Sequence, residues 1–162
     1  MKLKDMTITA LATALIFVTT IMIQIPNGIG GYIHFGDALL LLFAMLLSPR
    51  SASLSAALGS SLADLLSGYT IYVIPTFIIK GLMGLCFSYF YDETKKTRTW
   101  MGFLLCASIL ILGYFITEVC LYQSISVAAI SILPNAIQIG SGIIISLLLK
   151  PFLSKVNQTL VR

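Results

Sequence analysis

Seven polar side chains stand in or beside long apolar stretches: His34, Asp37, Asp64, Lys80, Glu118, Asn135 and Gln138. Ionisable groups in such surroundings are costly, so they point first to a functional site. Together they offer acid–base groups and hydrogen-bond partners for a small polar molecule. They match no pattern for covalent chemistry, because GxSxG, HExxH, Walker A and kinase-type motifs are all missing. The three cysteines, Cys86, Cys106 and Cys120, lie in apolar runs without CxxC spacing and read as small buried hydrophobes. No metal and no cofactor is expected. The glycines of Gly28-Ile29-Gly30-Gly31 stand outside any βαβ context and read as flexibility in a lid.

Spacing gathers these groups. Tyr72, Thr76 and Lys80 recur every four residues, which is one face where the chain is helical. Asn135 and Gln138 are three apart and share a face as well. Tyr32, Tyr69 and Tyr72 add aromatic faces on which a ring can stack. Each polar group also has a plainer reading. Asp37 suits a cap of the second helix. Asp64 suits an acceptor for loop amides, and Lys80 an ion-pair partner of Glu118 or Asp64. Asn135 suits a cap after Pro134, and His34 a hydrogen-bonding loop residue.

The elements that must hold them are apolar runs at Met6–Ile25, Asp37–Leu47, Ala52–Leu66, Pro75–Tyr91, Trp100–Leu121 and Pro134–Leu153. Hydrophobic residues make up 58% of the 162 and charged residues only 10%, against roughly 25% charged in soluble domains. Mean hydropathy is +1.00. At about 25 residues per span and loop, the length allows about six crossings. The expectation is one membrane domain over 1–162, with no soluble catalytic or nucleotide-binding domain. The second and third runs are short for a span and are expected to tilt or to reach into the interfaces. The first run is too long for a signal-peptide core and no cleavage site follows, so it reads as a retained helix. Breaks fall at PNGIGG from Pro26, SPRS from Ser48, SGYTIYVIP from Ser67 and DETKKTR from Asp92. Pro75 suits a first helical position. Residues 122–133 fit either a loop or a short interfacial helix.

The basic residues then orient the bundle. Lys2 and Lys4 precede the first run, Arg50 lies between the second and third, Lys95, Lys96 and Arg98 between the fourth and fifth, and Lys150, Lys155 and Arg162 end the chain. The positive-inside rule gives an all-α bundle of six transmembrane helices with both termini cytoplasmic. The net charge of +4 is therefore a topology signal, and nucleic acid is not an expected partner. The polar groups all fall in the outer halves of the helices. That describes a pocket under an external lid and argues against a continuous channel. Asp37, Asp64 and Glu118 against Lys80 leave the pocket two negative charges in excess. That balance disfavours anionic cargo and tolerates a neutral or aminated heteroaromatic. Ala10 and Ala14, four apart near the cytoplasmic end of the first helix, form a small-xxx-small pattern open to packing within the bundle or to docking an intracellular partner. The Ala-, Ser- and Gly-rich third run, and Gly140 and Gly142, read as bundle packing.

Over essentially its whole length the sequence resembles the substrate-binding (S) components of energy-coupling factor (ECF) vitamin transporters. The likeness rests on Ala10 and Ala14, YIHFGDALLLL from Tyr32, GSSLADLLSGY from Gly59, PTFIIKGLMGL from Pro75, the glutamate of GYFITE, and PNAIQ from Pro134. The resemblance implies a non-enzymatic vitamin-binding subunit in a cell membrane, mainly of Gram-positive bacteria. It implies docking through Ala10 and Ala14 on a transmembrane coupling subunit driven by two cytoplasmic ATPases. The subgroup it suggests handles pyridoxine-type vitamins or hydroxymethylpyrimidine, with riboflavin as the alternative. The substrate-binding residues expected are His34, Asp37, Asp64, Tyr69, Tyr72, Thr76, Lys80, Glu118, Asn135 and Gln138. An intramembrane enzyme using Asp, Glu and Lys80, or a membrane scaffold without cargo, stands as the rival reading.

Overall fold

The computed structural model describes residues 3–27 and 30–160, with the backbone alone over 153–160. Lys2, Arg162 and the Gly28–Ile29 part of the expected flexible lid lie outside the described residues, and so does the Lys155 side chain.

The first helix, α1 (Leu3–Met22), stops before the sequence predicts. Gln24–Pro26 forms a strand, β1, paired antiparallel with β2 (Tyr32–His34). A residue before proline is driven out of helical geometry, so Pro26 ends the helix and starts an extended hairpin. The all-α expectation is corrected to this extent. Gln24 Nε2 donates to Ser67 Oγ at 2.8 Å and ties the hairpin to the turn that follows a later helix. Gly30, at φ +91°, lies against the Tyr122 hydroxyl, where an added Cβ would stand 2.6 Å away.

The next helix, α2, covers only Gly36–Ala44, about 14 Å of rise. Helix α3 (Pro49–Leu66) opens with Pro49 behind a Ser48 cap whose hydroxyl accepts from Ser51 N. A 3-10 turn at Thr70–Tyr72 leads into α4 (Val73–Phe90). Pro75 is the third residue of α4, where its missing N–H costs no bond. Helix α5 (Lys96–Tyr122) ends on Gln123 in left-handed geometry, φ 51°. Residues 122–133 resolve into a short helix, α6 (Ile125–Ile130), capped by Ser124. The last helix, α7, runs Ile132–Leu160 with Pro134 in its first turn.

Among the described residues, four stretches are long and apolar enough to cross a bilayer: Leu3–Met22, Thr70–Phe90, Lys96–Tyr122 and Ile125–Phe152. The expected six are not reproduced by length and composition. Helix α2 is too short for a core of about 30 Å, and α3 is diluted by serines, Arg50 and Asp64. The exterior is apolar, with Ile74 72%, Leu104 68% and Leu148 67% exposed. Lys80, Asp37 and Glu118 meanwhile are buried. Apolar residues outside and ionisable residues inside suit a multi-pass membrane protein.

Close backbone approach holds the middle of the bundle. A Cβ on Gly84 of α4 would meet the Ala52 carbonyl of α3 at 2.5 Å, and one on Gly59 of α3 would meet Thr13 O of α1 at 2.8 Å. These contacts use the small residues of α3 as bundle packing. A Cβ on Gly142 would meet Asp37 Cβ at 3.2 Å, whereas Gly140 has open space beside it. Ala10 and Ala14 do not pack inward: Thr9, Ala12, Ile16 and Thr20 form the buried face of α1, and the two alanines are exposed. Cys106 is buried as expected, but Cys120 is exposed on the outward face of α5, a correction to its reading as a buried hydrophobe. At the end of the bundle away from the hairpin, Asp92 accepts from Thr94 Oγ1, Thr94 N and Lys95 N. The Thr94 bonds hold its carboxyl below the usual carboxylate range.

Candidate functional site

A cleft opens at the hairpin end. Asn27, Gly31, Tyr32 and His34 of the hairpin line it, with Asp64 of α3, Tyr72 of the 3-10 turn, Thr76 of α4, Tyr114 and Glu118 of α5, and Asn135 and Gln138 of α7. It holds about 370 Å³ of empty space, open mouth included. Its walls are aromatic. Tyr32 packs on Tyr69 with tilted rings whose centroids are 4.6 Å apart, and the Tyr72 ring centre lies 6.4 Å from that of Tyr114. The Tyr32 hydroxyl donates to Asp64 Oδ1 at 2.5 Å, and the Thr76 and Tyr114 hydroxyls are 2.9 Å apart. Two buried carboxylate oxygens, Asp64 Oδ2 and Glu118 Oε2, have no hydrogen-bond partner among the described residues. Such groups are normally paired, so the cleft is built to meet donors from something that enters it. At the rim, the Tyr72 and Tyr122 hydroxyls lie 3.3 Å apart.

Beneath Tyr114 lies a sealed ion pair. Lys80 Nζ donates to Asp37 Oδ1 at 2.6 Å, and neither side chain is exposed. Lys80 Nζ also sits 5.7 Å from the centre of the Tyr114 ring. Gln138 Nε2 donates to Asp37 Oδ2 at 2.7 Å, and Gln138 Oε1 accepts from His34 N at 3.2 Å. The imidazole Nδ1 of His34 accepts from Gly36 N at 3.0 Å. One chain of polar contacts thus joins α4, α2 and α7 to the hairpin.

Seven of the ten residues singled out from sequence line the cleft: His34, Asp64, Tyr72, Thr76, Glu118, Asn135 and Gln138. Tyr69 stands behind Tyr32, and Asp37 and Lys80 lie below the lining. The ion pair corrects an expectation, because Lys80 pairs with Asp37 and with neither Glu118 nor Asp64. The cap readings also fall. The N-cap of α2 is Phe35, without a side-chain bond, and Asp37 turns inward to Lys80. Asn135 is already inside α7, its N–H bonded to Ser131 O. Sequence reasoning missed Asn27, Gly31 and Tyr114 as lining residues, and offered Tyr32 only as a stacking face. Tyr114 carried a signal, since it lies four residues before Glu118 on one helical face.

The sequence model of the ECF-type riboflavin transporter S component family matches residues 1–155. The chain belongs to this family. As an ECF S component it is a membrane-embedded part of a vitamin transporter. It is 33% identical over 130 residues to an uncharacterized protein of Pyrococcus woesei, covering 79% of this chain and 86% of that one. It is 27% identical over 155 residues to the thiamine precursor transporter HmpT of Lactococcus lactis subsp. cremoris, covering 94% and 89%. A solved S component of a bacterial ECF transporter superposes with a TM-score of 0.70 over the whole of both chains at 19% identity, a likeness of fold.

Proposed function

We propose that this S component captures a single-ring, aminated heteroaromatic of the hydroxymethylpyrimidine class and delivers it to an ECF module. One observation carries the reading: two buried carboxylates in a tyrosine-walled cleft, each with an oxygen left free. Carboxylate oxygens accept hydrogen bonds only, so they call for a cargo rich in N–H or O–H, and the tyrosines call for a flat ring. Pyridoxine offers hydroxyl donors but no amino group. The similarity to a protein named as a thiamine precursor transporter supports the same class.

In this reading six helical segments cross the membrane with both termini cytoplasmic, α2 and the hairpin together completing one crossing. Arg50, Lys96 and Lys150 then face the cytoplasm, as the positive-inside rule requires. A cysteine at position 96, in a protein stripped of native thiols, is expected to resist impermeant maleimide in intact cells. Labelling from outside would overturn the topology. The coupling subunit docks on the exposed Ala10 and Ala14, and two cytoplasmic ATPases supply the energy.

Cargo and class are tested together by native mass spectrometry of gently purified protein, followed by calorimetry. The expected result is one hydroxymethylpyrimidine per chain, tightly bound and chemically unchanged. Retention of riboflavin would replace the cargo while keeping the carrier role. Conversion of the pyrimidine to product would replace the carrier role with that of an enzyme.

A further inference from the structure

We propose that His34 selects the cargo by donating its Nε2–H to a hydrogen-bond acceptor on it, so that the site demands an acceptor atom beside donor groups; this rests on the carrier reading above. A neutral imidazole has one lone pair and one N–H, yet two donors approach this ring. Gly36 N–H points at Nδ1 from 3.0 Å, and Gln138 Nε2 lies 3.4 Å from Nε2. The amide of Gln138 cannot turn round. Its oxygen takes His34 N–H and its nitrogen donates to Asp37 Oδ2 at 2.7 Å. The reverse orientation would set oxygen against carboxylate and N–H against N–H. The Gly36 N–H is fixed in the backbone at the start of α2. The lone pair therefore belongs to Nδ1 and the proton to Nε2. Gln138 Nε2, itself a donor, then offers this N–H no acceptor. A doubly protonated ring would lose the lone pair that Gly36 uses.

His34 is 5% exposed and lines the cleft. Its buried N–H thus joins Asp64 Oδ2 and Glu118 Oε2 as polar groups left for the cargo to satisfy. One unmet donor beside two unmet acceptors is complementary to a ring that carries an unprotonated nitrogen together with amino and hydroxymethyl groups. A site built to hydrogen-bond a substrate group discriminates strongly against analogues that lack it, because its own buried partner is then stranded.

His34 is the only histidine in the chain, so 15N-histidine labelling reports this ring alone. Full-length protein in nanodiscs is expected to show a protonated Nε2 and a bare Nδ1, with the Nε2 resonance shifting when 4-amino-5-hydroxymethyl-2-methylpyrimidine is added. The opposite tautomer overturns the proposal. By calorimetry, one of the two pyridine analogues with a ring nitrogen replaced by C–H should bind at least about tenfold more weakly than the pyrimidine. His34→Phe should abolish that difference, and His34→Gln, which keeps an N–H near the same place, should restore part of it. Equal binding of the pyrimidine and both pyridines by the wild type overturns the inference even if His34→Phe does not fold. If riboflavin or pyridoxine binds in place of the pyrimidine, the cargo reading falls alone. His34 must then weaken that ligand about tenfold as Phe and recover as Gln, and an unchanged affinity sinks the inference too. Failure of the folded wild type to bind any of the three overturns both.

Discussion

Lys80→Met is expected to destabilise the protein by about 3–5 kcal/mol, and Asp37→Leu combined with Lys80→Met to recover most of that loss. Both side chains are fully buried with a 2.6 Å bond between them. Removing the lysine leaves a carboxylate without its counter-charge, and an uncompensated buried charge is among the costliest single defects. Removing both charges leaves a packing problem and one widowed donor, Gln138 Nε2, worth about 1–3 kcal/mol. Thermal and denaturant unfolding of the two variants without ligand provides the measurement. A Lys80→Met protein that melts like wild type would show that the pair does not hold the bundle together. The sequence alone suggests another outcome, a folded protein with weakened binding. That expectation assumes Lys80 faces the cleft, whereas it lies under Tyr114.

Ala14→Trp should abolish uptake in cells and copurification with the coupling module, yet leave the affinity of the isolated subunit within about twofold, a difference below 0.5 kcal/mol. Ala14 is exposed on α1, next to the buried positions Ala12 and Ile16 but not among them. An indole there meets no neighbour inside the bundle. It does hold a partner helix away and removes the close contact that two small residues four apart allow. If the alanines served bundle packing, expression, folding and binding would fall together. Measuring ligand affinity and module copurification on one preparation separates the two. Normal uptake by the variant would reduce the Ala10–Ala14 spacing to coincidence.

Much of this site was legible because burying polar groups in apolar runs is expensive whatever the fold. Asp64, Thr76, Glu118 and Gln138 declared themselves by surroundings and spacing. Pairing did not. Asp37 and Lys80 are 43 residues apart, and nothing local in either segment distinguishes Asp37 from Asp64 as the partner. That choice is made when α2 packs against α4 and α7. The hairpin escaped for a different reason. Its strands have three residues each, too few for alternation to be read, and β1 follows an apolar run that continues the helical pattern. Tyr114 is harder to read, because aromatic residues in an apolar span look like any other lipid-facing or core residue. Only its spacing from Glu118 sets it apart in the sequence, and only the fold places it over Lys80.

The shortness of α2 has a consequence for synthesis. A helix of nine residues cannot leave the insertion machinery for lipid by itself. It falls about 16 Å short of the hydrocarbon thickness, and its aspartate adds about 2.5–3.5 kcal/mol at mid-bilayer. The compensating lysine is translated 43 residues later and the second donor, Gln138, 101 residues later. Asp37 therefore has no counter-charge until α4 has been translated, and its seat is complete only once α7 has followed. The order in which the ribosome delivers these helices is thus part of what makes the fold reachable, and a chain cut short before α7 would strand Asp37 with half of its partners.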